Sequence, residues 1–357
     1  MRRKLLVSLL TLSPVIPAPA FADHLSGGFD LGQSSAIMTE SAIPLAAGDW
    51  YLGLRYEQVD NTGLNDDTLI GLRAFDIVAN GEAHDDLHSI EQVTGTSISL
   101  AYGVSDNLTL GVRVPWVKRE NIREPEEGHS HNGAPIVIHN VIEHGDASGL
   151  GDVTLMGLYR FNAGERHDLS MLFGLRLPTG VDDENGFKDE VFVRRVDTGV
   201  VPDEHGHEDG HSHEGTRLET HQQPGGGSWD PIFGLAYSRV MGPVNLDSSI
   251  IYTFANDGDQ DTNLGDDLQY NLGLTYPLQQ NLDLVMELNG EWRDRELRGS
   301  NAVENSGGSH LYLSPGLRYG GDGWSVSLSY GHPLAERLNG DQSEPERRFL
   351  ANLNFSF

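Results

Sequence analysis

The stretch that decides the fold is RFLANLNFSF, which spans Arg348–Phe357. Every second residue from 349 to 357 is apolar, and polar residues occupy the positions between them except at Leu350. The apolar set is Phe349, Ala351, Leu353, Phe355 and Phe357. Successive side chains of a strand point to opposite faces, whereas a helix would scatter these residues around its axis. The segment therefore predicts an amphipathic β-strand.

The same alternation recurs along the chain upstream of this segment. Comparable segments begin near residues 50, 97, 108, 152, 168, 228, 245, 268, 282, 311 and 323, and the one at 228–240 is the least regular. With the last segment, this makes about twelve strands. An even strand number is typical of single-chain bacterial outer-membrane barrels.

The connections between these strands alternate between short and long. Short turns are predicted at residues 105–107, 241–243, 279–280 and 320–322, with long polar loops elsewhere. We predict an all-β fold over residues 49–357, a transmembrane antiparallel β-barrel with short periplasmic turns and long extracellular loops. The alternative is a secreted jelly roll or sandwich, whose apolar faces would point inward. Aromatic residues near the strand ends favour a membrane girdle: Trp50, Tyr56, Trp116, Tyr159, Tyr276, Trp292 and Tyr330.

The N-terminal region is typical of an exported protein. Residues 1–22 combine basic residues, a short apolar stretch and the small-residue site Ala20-Phe21-Ala22, which predicts a signal peptide. Mean hydropathy is −0.37, and no later segment is long and apolar enough for a spanning helix, which excludes a helical membrane protein. Residues 23–48 show no strong alternation, so they could plug the lumen, cap it or extend into the periplasm.

The charge balance of the chain indicates which classes of partner its surface attracts or repels. The chain has 24 Lys and Arg against 53 Asp and Glu, a formal net charge of −29, and no cysteine. Such a surface repels nucleic acid and attracts cations. The predicted location is the outer membrane of a Gram-negative bacterium. The predicted partners are outer-membrane lipid, lipopolysaccharide, divalent metal ions and, through the strand ending at Phe357, the barrel assembly machinery.

The polar faces of the predicted strands should line the lumen. The predicted lumen-lining residues are Arg55, Glu57, Arg113, Arg160, Arg176, Asp283, Glu287, Arg318 and Arg348. They could form a narrow, charge-lined pathway that orients a solute, or a lattice of ion pairs that fills the barrel. No nucleophile motif such as G-x-S-x-G occurs, so we predict that the protein is not an enzyme.

Histidine is concentrated in three predicted extracellular loops, near residues 58–92, 117–148 and 181–227. Eleven of the 15 histidines lie there: His84, His88, His129, His131, His139, His144, His205, His207, His211, His213 and His221. Repeated His-x-His units among carboxylates and glycines supply ligands that zinc, nickel and copper(II) favour. No cofactor is required, but the loops predict capture of a divalent transition metal, with zinc favoured. An inert solvated loop and a pH-responsive loop are the alternatives.

Two short segments carry a family resemblance. Ser148–Val153 (SGLGDV) opens a predicted strand, and Leu177–Gly180 (LPTG) follows the next strand. With the signal peptide, the strand number and the terminal Phe357, they resemble the outer-membrane transporter-like family named for the meta-pathway of phenol degradation. The resemblance implies a passive channel linked to uptake of aromatic compounds, with no ligand residues carried over.

Three functions therefore stay open. The first is a solute channel whose loops concentrate metal at its mouth. The second is a passive channel for small organic, aromatic compounds. The third is a closed barrel that binds metal at the cell surface without transport.

Overall fold

The computed structural model describes residues 25, 28–29, 31, 36–80, 87–125, 140–186, 189–192 and 217–357. The predicted signal peptide and eight of the eleven histidines predicted to bind metal lie outside the described residues. The strands are β1 (Trp50–Thr62), β2 (Gln92–Ser105), β3 (Leu108–Pro125), β4 (Asn140–Leu150), β5 (Thr154–Ala163), β6 (His167–Arg176), β7 (Asp189–Phe192), β8 (Asp230–Met241), β9 (Val244–Thr253), β10 (Thr262–Asn263), β11 (Asp267–Gln279), β12 (Leu282–Arg293), β13 (Leu297–Arg298), β14 (Asn301–Ala302), β15 (Gly308–Gly321), β16 (Trp324–Leu338) and β17 (Glu344–Ser356). Helix α1 spans Asp66–Asn80, and 3₁₀ turns span Thr220–Gln222 and Asp259–Asp261.

Twelve of these strands form a closed antiparallel barrel, as the sequence predicts. They are β1, β2, β3, β5, β6, β8, β9, β11, β12, β15, β16 and β17. The barrel closes where β1 pairs with β17, from Tyr51 opposite Ser356 to Thr62 opposite Glu344. The shorter β4 and β7 extend the sheet beside the upper part of β3.

The apolar face of the wall points outward. Leu54, Ile98 and Trp116 are 38%, 52% and 54% exposed, whereas Arg55 and Glu57 are only 3% and 1% exposed. A water-soluble sandwich would show the reverse arrangement. The exposed apolar belt and the closed barrel place this wall in the outer membrane. Six of the seven predicted girdle aromatics are exposed, and Trp292 is half-buried.

No helix among the described residues is long and apolar enough to cross a membrane.

The predicted short turns are confirmed at residues 106–107, 242–243, 280–281 and 322–323. The strands are longer than predicted at the other end: β3 continues to Pro125, and β4 begins at Asn140, inside the predicted second loop. Apolar alternation is confined to the part of each strand that faces lipid. Strand pairing continues beyond that part; for example, Lys118 of β3 pairs with Ser148 of β4. Helix α1 in the first loop was not predicted.

The segment before β1 lies inside the barrel. We call residues 36–45 the plug. Its backbone amides are bound by wall side chains: the amides of Met38 and Thr39 donate to the Glu287 carboxylate at 2.8–3.1 Å. Further along, the amide of Ala42 donates to Ser238 Oγ at 2.8 Å, and that of Leu45 to Thr109 Oγ1 at 2.9 Å. Backbone polar groups buried away from water need such partners. Of the three arrangements the sequence left open for residues 23–48, these contacts put the plug in the lumen.

The plug explains why some inward positions of the wall are apolar. Leu350, the exception in the last strand, is 1% exposed and packs with Ile37 and Met38 of the plug. The inward residues Leu158 and Leu172 belong to a second core that includes Leu45. Two apolar clusters therefore lie between the plug and the wall, and two more lie among the loops and strand ends, around Ile90 and Val117 and around Leu69 of α1.

Candidate functional site

A cavity of about 150 Å³ lies in the extracellular part of the lumen. Leu25 and Phe29, from the chain that precedes the plug, line one side of it. Inward side chains of β3, β5, β6, β8, β9, β11 and β12 form the wall, and Thr220 and residues 223–226 contribute from the loop between β7 and β8. We call the segment 217–226 the roof and this space the lumen cavity.

Hydrogen bonds of the Gln223 side chain hold the roof together and join it to Glu184. The Gln223 amide group donates to the carbonyl oxygens of Leu218 and Glu184 at 2.8 and 3.1 Å. Its side-chain oxygen accepts the backbone N–H of Glu184 at 3.0 Å. Thr220, His221, Gln222 and Gln223 are all buried. The roof is therefore packed into the barrel mouth, which the sequence did not predict.

One carboxylate joins the roof to both segments that carry the family resemblance. Asp152 accepts the backbone N–H of Thr179 at 3.1 Å, of Gly180 at 2.9 Å and of Gly226 at 2.8 Å. Gly180 and Gly225 touch so closely that a Cβ on either would lie 2.6 Å from the Cα of the other. Only glycine fits such a backbone approach without displacement. Asp152 is thus the anchor of the roof, and it also lines the cavity.

Four arginines line the lumen cavity: Arg113, Arg119, Arg176 and Arg293. Arg176 pairs with Asp230 at 2.6 Å, and Arg293 pairs with Glu291 at 3.1 Å. The other two donate to neutral oxygens: Arg113 to the Gly28 carbonyl at 2.9 Å, and Arg119 to the Gln223 carbonyl at 2.8 Å. These contacts hold each guanidinium in place beside the cavity.

The cavity lining combines charged groups of both signs with apolar surface. Against the four arginines it contains two carboxylates, Asp152 and Asp267. Asp152 is already bound by three backbone N–H groups, and Asp267 lies 3.7 Å from Arg293. Apolar lining comes from Leu25, Phe29, Pro115, Val117, Ile232 and Leu264. The arrangement can hold one small organic molecule, with directional donors on its polar side.

All nine predicted lumen-lining residues lie on the inward face of the wall, but they differ in role. Arg113 and Arg176 line the cavity, and Glu287 binds the plug. Three ion pairs lie outside the cavity: Arg55–Glu57 at 3.4 Å, Arg160–Asp168 at 3.3 Å and Arg318–Asp283 at 2.8 Å. Arg348 stacks 4.3 Å from the ring centre of Tyr312. The lattice of ion pairs therefore describes one part of the polar lumen, and the charge-lined space describes another part, the cavity.

Two cavity arginines were missing from the sequence prediction. Arg119 falls in the region assigned to the second loop, and it lines the cavity because β3 continues through it. Arg293 is the last residue of β12. Continuing the alternation of each strand beyond its last apolar residue would have found both.

A second polar site lies on the other side of the roof. We call it the acid–imidazole cluster; it consists of His88, His144, His221, Glu124, Glu219 and Glu296. The rings of His88 and His221 are 4.3 Å apart, and His221 Nδ1 lies 3.4 Å from a Glu296 oxygen and 3.7 Å from a Glu219 oxygen. His144 Nε2 lies 3.1 Å from a Glu124 oxygen. The three imidazoles are 2–6% exposed.

The carboxylates of the cluster differ in their acidity. Burial by itself would raise the pKa of Glu124, but the hydrogen bond with His144, with further contributions from Gln222 and His88, lowers that pKa to about 2. Burial raises the pKa of Glu219 against the attraction of His221 and Arg298. For Glu296, His221 and Arg298 outweigh burial and lower the pKa below its ordinary value. The cluster is therefore a network of unequal acids.

The metal prediction is only partly covered by the described residues. Of the eleven predicted ligands, only His88, His144 and His221 are described, and all three belong to the cluster. Within the described ranges, no three or more His, Asp and Glu side chains lie close enough together to hold one metal ion.

Comparisons with known proteins agree with this fold. Residues 220–338, from the roof through β16, match the family described as "Putative MetA-pathway of phenol degradation". This match confirms the family resemblance recognised from the sequence. No curated protein matches the chain.

Among solved structures, an outer membrane channel from Pseudomonas putida F1 is similar, with 15% identity over 90% of this chain and 100% of that one and a TM-score of 0.56. A Pseudomonas aeruginosa FadL homologue has 10% identity over 96% and 98% of the two chains, with a TM-score of 0.45. The Ralstonia pickettii toluene transporter TbuX has 11% identity over 88% and 90%, with a TM-score of 0.45. The first likeness shows a shared fold.

Proposed function

We propose that this protein is a passive outer-membrane channel for small organic solutes that contain one aromatic ring. The observation that carries the proposal is the lumen cavity of about 150 Å³. An apolar cavity of about 150 Å³ in another protein holds one benzene molecule. The family description, which refers to phenol degradation, supports the same class of solute.

The proposed path passes the roof, the cavity and the plug in turn. Neither the roof nor the plug is a strand of the barrel, so both can shift while the wall stays closed. The plug is bound to the wall by several side-chain hydrogen bonds, such as those to Glu287 and Ser238. Individually, such hydrogen bonds contribute about 0.5–1.5 kcal/mol, or somewhat more to a charged group. Rearrangement of the plug therefore needs far less energy than opening the sheet.

Blocking the cavity tests this proposal. Leu264→Trp places a large ring at a position that lines the cavity, and Leu317→Trp makes the same change on the lipid-facing wall, where Leu317 is 48% exposed. We expect a strain that lacks the protein to take up radiolabelled phenol slowly. The wild-type and L317W proteins should restore uptake, and L264W should restore it several-fold less. Equal uptake with and without the protein would overturn the proposal.

We propose, as a second function, capture of a divalent transition metal at the barrel mouth. The supporting observation is that the flanks of the three histidine-rich loops meet there. His88 follows the first loop, His144 the second and His221 the third, and all three lie in the acid–imidazole cluster. Mixed imidazole and carboxylate ligands favour zinc.

Zinc binding and channel current test this second proposal together. In the test variant, His205, His207, His211 and His213 are all replaced by asparagine, and His332→Asn in β16 is the control. We expect wild-type protein and the control to bind zinc in equilibrium dialysis, and the test variant to bind several-fold less. Micromolar zinc should also change single-channel current of wild type but not of the test variant. Equal zinc contents would refute metal capture. Bound zinc without any channel current would instead favour the closed, metal-binding barrel.

A further inference from the structure

We infer that a solute leaves the lumen cavity along one side of the plug, on the inward face of β11 and β12, through a constriction lined by Asn271 and Asn289. This inference rests on the proposed passage of one-ring solutes, and it adds the route and the residues that control it. The two sides of the lumen between the cavity and the plug are packed differently, and this difference assigns the route.

The inward face of β11 and β12 is polar from the lumen cavity to the plug. Three successive inward pairs make up what we call the polar stripe: Asp267–Arg293, Gln269–Glu291 and Asn271–Asn289. The next inward pair is Gly273 and Glu287. Glu287 accepts the backbone amides of the plug. Because alternate residues of a strand face the same side of the sheet, the stripe joins the cavity to the plug.

A smaller cavity lies within the polar stripe, beside the plug. Its volume is about 10 Å³, roughly the space of one water molecule. Gln269 lines both this cavity and the lumen cavity, and Met38 of the plug also lines the smaller one. The two cavities therefore share one side chain, and the second of them reaches the plug.

Side-chain amides close the polar stripe at this smaller cavity. Asn289 Nδ2 donates to Asn271 Oδ1 at 3.0 Å, and Arg348 donates to Asn289 Oδ1 at 3.1 Å. A passing solute and its water can replace these partners, because one hydrogen bond is exchanged for another of similar strength. Opening the stripe therefore loses little net hydrogen bonding.

The opposite side of the lumen is packed with apolar side chains. Leu158 of β5, Leu172 of β6 and Ala236 of β8 are 0%, 0% and 1% exposed. They belong to one apolar cluster with Ala42 and Leu45 of the plug. A solute that passed here would have to separate close-packed apolar groups, which favour burial over contact with water. The plug is therefore fixed on this side, and the polar stripe is the side that opens.

Cysteine modification tests the route, since the chain contains no cysteine. The test variant is Asn271→Cys, and Ala236→Cys is the matched control. Both positions lie in one row of paired residues, because Ala236 pairs with Ser249 and Ser249 pairs with Asn271. The reagent is benzyl methanethiosulfonate, which carries one aromatic ring. The cysteine thiolate attacks its sulfenyl sulfur, a benzyl disulfide forms, and methanesulfinate leaves.

We expect the reagent to modify purified N271C about tenfold faster than purified A236C, because cysteine reactivity depends on access to the thiolate. In the deletion strain, the reagent should lower phenol uptake several-fold in cells with N271C, and dithiothreitol, which removes the benzyl group, should restore it. Cells with the cysteine-free wild-type protein control for other targets of the reagent and should keep their uptake.

Faster modification of A236C, or normal phenol uptake by fully modified N271C, would overturn the inference. Modification rates are measured on purified protein without any uptake. A failure of the channel proposal, seen as uptake that does not depend on the unmodified protein, is therefore distinguishable from a wrong route.

Widening the route provides a second measurement, which does not depend on cysteine. Asn271→Ala combined with Asn289→Ala removes both amides that close the polar stripe, whereas Leu158→Ala combined with Leu172→Ala shortens two side chains on the packed side. Phenol uptake should rise several-fold in the first double variant and stay near the wild-type value in the second. A rise confined to the second would show that solute passes the packed side. If N271C does not fold, Gln269→Cys takes its place, because Gln269 lines both cavities.

Discussion

The acid–imidazole cluster and the lumen cavity lie on opposite sides of one short turn and differ in their charged side chains, which are carboxylates and imidazoles in the cluster and chiefly arginines and aspartates on the cavity lining. In the 3₁₀ turn Thr220–Gln222, His221 and Gln222 contact carboxylates of the cluster, whereas Thr220 lines the cavity beside the arginines. Adjacent residues of the roof therefore serve two sites.

The two sites also differ in what holds them together. The cluster combines residues from four extracellular loops or the strand ends beside them, because Glu296 follows β12, and its geometry depends on those loops meeting. The cavity is formed largely by inward positions of strands, whose backbone hydrogen bonds are all made within the closed sheet. We therefore expect the cavity wall to survive changes that disperse the cluster. Changes in the plug, in the Asp152 anchor of the roof and in the cluster should test this difference, with effects that decrease in that order.

Removing the plug should have the largest effect. Replacement of residues 36–45 by a glycine–serine sequence of equal length removes the segment whose amides bind Glu287, Ser238 and Thr109. The barrel should still form, because the wall hydrogen bonds do not involve the plug. Single-channel conductance should rise several-fold, and the thermal midpoint should fall because Leu350 and Leu172 lose apolar contacts. The measurements are planar-bilayer recording and thermal unfolding.

A graded control comes from Glu287→Gln, which retains an acceptor but removes the charge that binds Met38 and Thr39. It should show rare, brief openings to the conductance of the plug-replaced protein. If replacing the plug left conductance at the wild-type value, the plug would not be the barrier in the lumen.

Releasing the roof should have an intermediate effect. Asp152→Asn weakens three hydrogen bonds, to the amides of Thr179, Gly180 and Gly226. Since charge-assisted hydrogen bonds contribute about 1.5–3 kcal/mol each, the roof should be destabilised by roughly 1–3 kcal/mol in total after partial replacement by the amide oxygen. Hydrogen exchange of the amides in 217–226 should accelerate about tenfold or more.

The matched control is Asp283→Asn, which removes an equal charge from an ion pair with Arg318 outside the cavity. It should leave exchange in the roof unchanged. Equal acceleration in both variants would mean that the opening of the roof depends on the total charge in the lumen rather than on the hydrogen bonds of Asp152.

The wall could be predicted from the sequence because one physical rule governs every strand. Leu54 and Tyr56 face lipid, and Arg55 and Glu57 face the lumen, so apolar alternation reports both strand position and orientation. This rule applies only where a strand faces lipid. The continuation of β3 to Pro125, which includes Arg119, lies beyond that region and was therefore not predicted.

The plug and the roof could not be predicted in this way. The plug has no periodic pattern, and its amides are bound by side chains 64 to 249 positions away in the sequence. Leu350 interrupts the alternation of its strand because it packs on the plug, so its meaning depends on a contact that no local pattern encodes. For the histidines, the sequence predicted metal-binding side chains in three loops, but it did not predict that the rings of His88 and His221 lie 4.3 Å apart beside the roof.

Changing the cluster alone should have the smallest effect on permeation at neutral pH, since the wall, plug and Asp152 anchor remain. The pKa of Glu124 is lowered to about 2 from an ordinary value near 4.5. A carboxylate with a lowered folded-state pKa stabilises the fold above its ordinary pKa, and this stabilisation is lost as pH falls through the folded value. The contact between Glu124 and the roof should therefore weaken between about pH 4.5 and 2, by up to about tenfold per pH unit.

Glu124→Gln removes this titration and should flatten that part of the pH profile. The chain has no cysteine, so Arg217→Cys in the exposed start of the roof can carry a single environment-sensitive dye in both backgrounds. Between pH 7 and 2, the pH dependence of the dye signal should be steeper by about one proton in the labelled protein that retains Glu124 than in labelled E124Q. Asp341→Asn, in the loop between β16 and β17, should retain the steeper slope. Identical slopes for all three proteins would show that Glu124 does not couple protonation to the roof, and that the two sites are separated more completely than their shared turn suggests.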